Sequence, residues 1–178
     1  KVRLSKFYEH FTVQEQQQLI REVFQQLSRR SDYACNFLET TEADKWGKDT
    51  KLIYRHYATL YFVFCVDQSE SELGILDLIQ VFVEALDKSF SDVCELDLIF
   101  RMDLAHYVLD EIVMGGMVLE TSLSEICEAV QAQNNLQNQE NPLSGLKNAI
   151  EKVQRQAIDL NSLINYLSFF LKLLAGSF

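Results

Sequence analysis

The chain contains little proline and glycine and no long uninterrupted apolar stretch. One proline and six glycines among 178 residues exclude collagen-like and other Pro/Gly-rich low-complexity chains. Because no run of about 18 apolar residues occurs, a membrane-spanning helix is not expected. Apolar side chains nevertheless make up 48% of the sequence, which is typical of a chain that forms one compact domain, here with an appendage.

Positive charge is also scarce, with a formal net charge of −10. A general nucleic-acid binder needs clustered Lys and Arg to neutralise phosphates, so we expect no nucleic-acid partner. The basic residues are concentrated towards the two ends of the chain, and any anion-binding surface should use them. The chain starts with Lys1 instead of methionine and carries no secretory signal peptide, which predicts a fragment of a cytosolic protein.

Catalytic and metal-binding motifs are absent too. The four cysteines are about thirty residues apart without a C-x-x-C pair or a Cys/His cluster, so reduced thiols are expected instead of a zinc or redox site. The three histidines are scattered, there is no Gly-rich phosphate loop, and the DQSESE run at Asp67 lacks EF-hand spacing. Glu95 and Asp97 would point to different faces of a helix, so they do not form a catalytic pair. The sequence predicts no enzyme, no metal and no cofactor.

The order of elements predicts an α+β domain with a mostly antiparallel sheet. Thr12 with Glu15, and Ser69 with Glu72, form capping-box patterns before two amphipathic stretches. The apolar positions of these helices are Val13, Ile20, Val23, Phe24 and Leu27 in the first, and Leu76, Ile79, Val83, Leu86 and Phe90 in the second. Predicted strands cover residues 1–8, 35–39, 51–57 and 58–66, the last as a central strand covered on both faces. Further helices are expected to start near Asp103, ending at Gly115 and Gly116, and near Ser122 with Glu125.

Several segments carry a specific resemblance to a known family. They are RLSKFY from Arg3, NFLE from Asn36, KLIYRHYATLYFVFCVD from Lys51 and VCELDLIF from Val93. Over residues 3–132 the chain resembles the small sigma subunit of clathrin-adaptor complexes. The segments SESELGILDLIQVFVE from Ser69 and GGMVLET from Gly115 are most similar to the sigma subunit of adaptor protein complex 3.

The resemblance implies a longin-like (SNARE-like) fold, a five-stranded antiparallel sheet flanked by helices. The first strand of that fold would precede Lys1, so we expect it to be missing from this sequence. It also implies a heterotetramer with large delta-type and beta-type adaptins and a medium mu chain. Such a complex is cytoplasmic and peripheral on Golgi and endosomal membranes and coated vesicles, and it transports proteins to the lysosome or vacuole.

The family binds acidic dileucine signals in cargo tails, which carry an acidic residue four positions ahead of a leucine pair. The resemblance implies that the leucine cleft is lined by Ala58, Leu60, Val83, Val93, Cys94 and Leu98. It implies that Arg3 faces the acidic residue. Asp92 departs from the family pattern by adding negative charge at the rim. From the residues alone, the apolar positions are equally typical of ordinary core, and Arg3 of a solvated surface arginine.

The end of the chain lies outside the resemblance. Residues 133–144 are polar and predict a linker after the domain of residues 1–132, and residues 145–178 predict an amphipathic helical tail about 45 Å long. Its apolar positions keep 4-3 spacing from Leu146 to Leu174. The tail could dock on a partner helix or on this domain, lie on a membrane surface, or serve no purpose. The alternative function is a longin-like membrane-tethering or SNARE-regulating module that acts through this helix.

Overall fold

The computed structural model describes residues 2–31, 34–39, 50–90, 93–140 and 153. The chain divides into two units, Lys1–Gln131 and Ala132–Phe178. In chain order the elements are α1 (Val13–Ser28), β1 (Phe37–Glu39), β2 (Thr50–Tyr57), β3 (Leu60–Asp67), α2 (Glu72–Phe90), α3 (Glu95–Phe100), α4 (Met102–Ile112), β4 (Val113–Met114), β5 (Met117–Val118) and α5 (Leu123–Glu140). The α+β class with antiparallel sheets flanked by helices, predicted from the sequence, is confirmed.

The main sheet has three strands in the order β1-β2-β3, all antiparallel, within the described part of the chain. β2 and β3 form a tight hairpin in which Tyr57 pairs with Leu60 across the two residues Ala58 and Thr59. Ala58 has φ 50°, the left-handed conformation that such short hairpin turns require. The two strand runs predicted at this hairpin are therefore confirmed, with the turn at Ala58.

The central strand of this sheet is β2, and the prediction that the run 58–66 is a central strand covered on both faces is wrong for the described residues. Leu52, Ile53 and Tyr54 of β2 are buried, whereas β3 alternates between half-buried and exposed positions. Phe62 and Phe64 of β3 pack against the core, whereas Tyr61 lies on the opposite face and is exposed, so the aromatic content of the strand does not mean that both faces are covered. Phe62, for example, meets Phe82 of α2 edge-on with ring centroids 6.0 Å apart.

The hydrophobic core lies between β2 and the helices α2, α4 and α5. Its buried members on α2 are Ile75, Leu78, Ile79, Phe82, Ala85, Leu86 and Phe90. The predicted α2 positions agree in part, since Ile79, Leu86 and Phe90 are buried and Leu76 and Val83 are half-buried against the same cluster. The apolar spacing of a helix thus located the face that packs on the sheet.

On α1 the predicted stripe is displaced. Leu19 and Leu27 are buried, and Val23 between them is half-buried, so positions four residues apart form the inner face. Val13 and Phe24, both predicted to face inwards, are exposed. At about 100° per residue, Val13 and Phe24 lie about 80° and 100° around the helix from Val23 at the centre of the inner face, which places them at its edge.

Two capping predictions have different outcomes. The box at Thr12 is confirmed, because its backbone N–H donates to Glu15 Oε2 at 2.7 Å and its hydroxyl accepts from the Glu15 N–H at 3.4 Å. The box at Ser69 is wrong, because the hydroxyl of Ser71 accepts from the Gly74 N–H at 3.3 Å at the start of α2. Ser69 is instead bonded back to the turn, where its N–H donates to Asp67 at 2.8 Å.

The glycines after α4 form a hairpin turn and not the helix end that was predicted. α4 ends at Ile112, and Gly115 and Gly116, with φ 59° and 83°, connect β4 to β5. Two successive positive φ values are typical of a type I′ turn, for which glycine is preferred. Asp103 does not cap α4 either, since the helix begins at Met102 and Asp103 lies in its first turn.

The first residues of the chain do not form the strand predicted over 1–8. Residues 2–8 contain no strand, and contacts of their own side chains hold them on the rest of the domain. Lys6 pairs with Asp110 at 2.8 Å, and the Tyr8 hydroxyl donates to the Val113 carbonyl at 3.0 Å. Burial and the neighbouring Asp110 raise the pKa of Tyr8. A strand needs a neighbour to complete its hydrogen bonds, and the described residues provide none here.

Residues 133–140, predicted as the start of a linker, are the last turns of α5. Helix continues because this stretch has no glycine or proline before Pro142 and is rich in Gln, which favours helix. The rest of the predicted linker and the helical tail of residues 145–178 lie outside the described residues, apart from Val153, which is helical.

Candidate functional site

Four of the predicted site residues belong to one apolar cluster. Leu98 of α3 is a buried member, and Leu60 at the start of β3, Val83 of α2 and Val93 just before α3 pack against it. The last three are half-buried, so part of each side chain is free for a ligand to cover. Leu98 is only 5% exposed, so it belongs to the core and offers a ligand almost no surface. We refer to Leu60, Val83 and Val93 as the apolar surface.

Two predicted residues have other places. Ala58 lies in the β2–β3 turn, exposed and with positive φ, and not on the strand where the resemblance implied it. Cys94 is exposed and precedes the first turn of α3. Asp92, the expected departure at the rim, lies outside the described residues.

The start of α3 is held by two carboxylates. The Cys94 N–H donates to Asp97 Oδ2 at 2.8 Å, and the Val93 N–H donates to Asp87 Oδ1 at 3.1 Å. Asp97 is only 1% exposed. A carboxylate at the third helical position that accepts from the residue before the helix is one half of a capping box, and it fixes the backbone of Cys94, whereas Asp87 holds that of Val93.

Arg3 lies beside this same segment. Its Nε donates to Glu95 Oε1 at 2.7 Å, and a second guanidinium nitrogen donates to the same oxygen. The side chains are 24% and 38% exposed, so the ion pair is partly screened from water. The structure therefore brings the predicted guanidinium to Glu95 in the first turn of α3, although the two residues lie far apart in sequence.

Glu95 and Asp97 both shape the start of α3, although their spacing does not make them a catalytic pair. As predicted, they point in different directions, one to Arg3 and the other into the protein. The position of Asp97 three residues after Cys94 is a capping signal that was available in the sequence. No sequence signal could have found the partner of Glu95, because Arg3 is 92 residues away.

No group of three or more His, Cys, Asp or Glu side chains that could hold a metal ion occurs among the described residues. In the same part of the chain, no helix combines the length and apolar character needed to cross a membrane.

The sequence profile of the clathrin adaptor complex small chain matches residues 1–137. The chain belongs to this family. It is therefore a small adaptor subunit, and the family serves protein transport by coated vesicles. The family resemblance noted from the sequence is confirmed.

The names of the similar proteins given below point to one class within the family. The chain is 57% identical over 156 residues to the AP-3 complex subunit sigma of Dictyostelium discoideum, covering 86% of this chain and 91% of that protein. It is 62% identical over 144 residues to the human AP-3 complex subunit sigma-2, covering 81% and 74%. The AP-3 complex subunit sigma of Arabidopsis thaliana is 53% identical over 144 residues, covering 81% and 86%.

A structural comparison points to the same class. A chain of a homology model of the full-length AP-3 complex in a stretched open conformation superposes with a TM-score of 0.58 at 42% identity. The match covers 76% of this chain and 87% of that chain. The fold is consistent with the longin-like adaptor small subunit that the sequence predicted.

Proposed function

We propose that this small adaptor subunit works in a heterotetramer with large delta-type and beta-type adaptins and a medium mu chain, and binds acidic dileucine signals in cargo tails. The complex would be peripheral on Golgi and endosomal membranes and on coated vesicles, and would transport cargo to the lysosome or vacuole. One observation carries the proposal. A partly buried guanidinium, Arg3, pairs with Glu95 at the first turn of α3, two residues after the half-buried Val93 of the apolar surface.

The signal supplies the matching chemistry. Its two leucines would cover the free parts of Leu60, Val83 and Val93, and its acidic side chain would reach Arg3. Leu98 would offer the leucines almost no surface because it belongs to the core, and the exposed Ala58 and Cys94 would contact the peptide at most by their edges. The side chains present thus fit a short apolar peptide with one negative charge.

Magnitudes indicate a weak binder. Two buried leucines contribute about 1.5–3 kcal/mol each, and a partly exposed ion pair about 0–1 kcal/mol. Association and ordering cost at least about 4 kcal/mol, so these contacts alone leave no more than about 3 kcal/mol, which is weaker than a millimolar affinity. Efficient sorting then requires that adaptor and cargo are both held at one membrane, where the effective concentration is high.

The test uses the full chain copurified with its large delta-type partner and a fluorescent E-x-x-x-L-L peptide. Val83→Asp places a charge in the apolar surface, so fluorescence anisotropy should show binding weakened about tenfold or more. Val13→Asp is the matched control, since the same change there is made at an exposed position of α1. Peptide binding that Val83→Asp leaves unchanged, in a variant that still copurifies, would refute the proposal.

The alternative function, a longin-like membrane-tethering or SNARE-regulating module, depends on the tail. Residues 145–178 lie outside the described residues except for Val153, and no structural observation favours this alternative.

A further inference from the structure

Arg3 already has an anionic partner within the chain. A guanidinium carries five N–H donors in a planar fork, and carboxylates bind best along one of its edges. Here Nε and a neighbouring amino group both donate to Oε1 of Glu95. One of the two edges of Arg3 that could hold a carboxylate is therefore occupied by Glu95.

Both partners are held in place by their surroundings. Arg3 precedes Leu4, which packs against the apolar cluster, and Glu95 is the first residue of α3, whose start is fixed by the Asp97 cap. Glu95 also follows Val93 and Cys94 directly in the chain. The ion pair thus lies at the edge of the apolar surface. It is a defined feature of the fold, because each of its residues lies in a segment that contacts of its neighbours hold in place.

We propose that Glu95 competes internally with the acidic residue of the sorting signal, and so determines how strongly the site distinguishes acidic from neutral signals. This inference rests on the proposed function. When an acidic signal binds, its carboxylate displaces Glu95 from Arg3. Glu95 then loses its counter-ion and is left near a second negative charge, which reduces the gain that the signal's carboxylate brings.

The consequence concerns specificity. With Glu95 present, an acidic signal is favoured over a neutral signal of the same length by less than an unpaired Arg3 would give, because the new ion pair replaces an existing one. The leucines on the apolar surface then supply most of the affinity. Removing the Glu95 charge frees Arg3 and should strengthen binding of the acidic signal selectively.

The experiment is a cycle of two proteins and two peptides. The full chain and its Glu95→Gln variant, each copurified with the large delta-type partner, are titrated with E-x-x-x-L-L and Q-x-x-x-L-L peptides at low salt. We expect Glu95→Gln to bind the acidic peptide about two- to fivefold more tightly and to bind the neutral peptide as before, as partly exposed ion pairs imply. The gain should shrink at high salt because the charges are partly exposed.

Two control variants separate this effect from others. Glu72→Gln removes the same charge from a side chain that is equally exposed, at 38%, and that is paired with Lys51, so it should leave both peptides unaffected. Arg3→Gln combined with Glu95→Gln should abolish the gain, because the gain acts through the guanidinium. If Glu95 had only a structural role, Glu95→Gln would lower the unfolding temperature of the protein and would not raise its affinity for either peptide.

The outcomes distinguish this inference from the proposed function. If Glu95→Gln leaves the ratio of the affinities for the acidic and the neutral peptide unchanged, the internal competition is overturned. It is also overturned if Glu72→Gln strengthens binding of the acidic peptide equally, or if the gain persists when Arg3 is replaced as well. The proposed function stands in those cases if Val83→Asp still weakens binding. Failure of the unaltered complex to bind either peptide overturns both.

Discussion

Asp97 is the buried carboxylate on which the geometry of the candidate site depends most directly. It accepts from the Cys94 N–H at 2.8 Å while almost fully removed from solvent. That hydrogen bond holds Cys94 at the start of α3, directly before Glu95, which pairs with Arg3. A single side chain therefore links the stability of a short helix to the position of an ion pair.

Replacing Asp97 with alanine should destabilise the protein by about 1–3 kcal/mol, since the Cys94 N–H loses its acceptor in a partly buried place. Glu128→Ala, an exposed acid in α5, is the control and should change stability by less than about 0.5 kcal/mol. Urea unfolding followed by circular dichroism measures both. An Asp97→Ala protein as stable as the control would show that the cap contributes nothing.

At the scale of single elements, glycine has opposite effects in a turn and in a helix. Gly116 in the β4–β5 turn has φ 83°, and a Cβ there would meet Tyr8 only at an ordinary 3.7 Å. Gly74 lies in the first turn of α2, where a Cβ would meet Ser71 at 3.5 Å. Backbone conformation, and not space, therefore decides the effect of a methyl group at both positions.

Gly116→Ala should destabilise the chain by about 1–2 kcal/mol, because alanine is strained at positive φ. Gly74→Ala should stabilise it by up to about 1 kcal/mol, because glycine loses more backbone entropy in a helix. The two variants are matched controls for each other in thermal unfolding. Shifts of the same sign would contradict the assigned turn.

At the scale of the whole molecule, the first unit carries every described residue of the candidate site, and the predicted tail lies after it. A weak binding site of the proposed kind works only where the adaptor and its cargo are held at the same membrane. An amphipathic tail would help to hold the adaptor there. Removal of the tail should therefore leave peptide binding at the candidate site intact.

Deleting residues 145–178 should leave the affinity for the dileucine peptide within about twofold and abolish any self-association or liposome binding of the full chain. Analytical ultracentrifugation and liposome flotation measure the second effect, and fluorescence anisotropy the first. If the deletion alters neither self-association nor liposome binding, the remaining interpretation is that the tail serves no purpose.

Local patterns in the sequence predicted the two strand runs that form β2 and β3, the long helix α2 and the cap at Thr12. Each is a feature of a few consecutive residues, such as apolar spacing or a Ser/Thr followed by Glu. The strand over residues 1–8 and the covered central strand over 58–66 were wrong, because a strand's neighbours and the covering of its faces are not local properties. The same limit explains Phe24, whose helical spacing is compatible with the core although the packed face lies elsewhere.

The candidate site divides in the same way. Leu60, Val83, Val93 and Leu98 were named from family resemblance, and the structure gathers all four on one cluster. Family membership and the apolar character of these positions were thus already contained in the amino-acid order. Only the folded chain brought Arg3 to Glu95 and moved Ala58 into a turn, because such contacts depend on how distant segments pack, and sequence spacing carries no information about that.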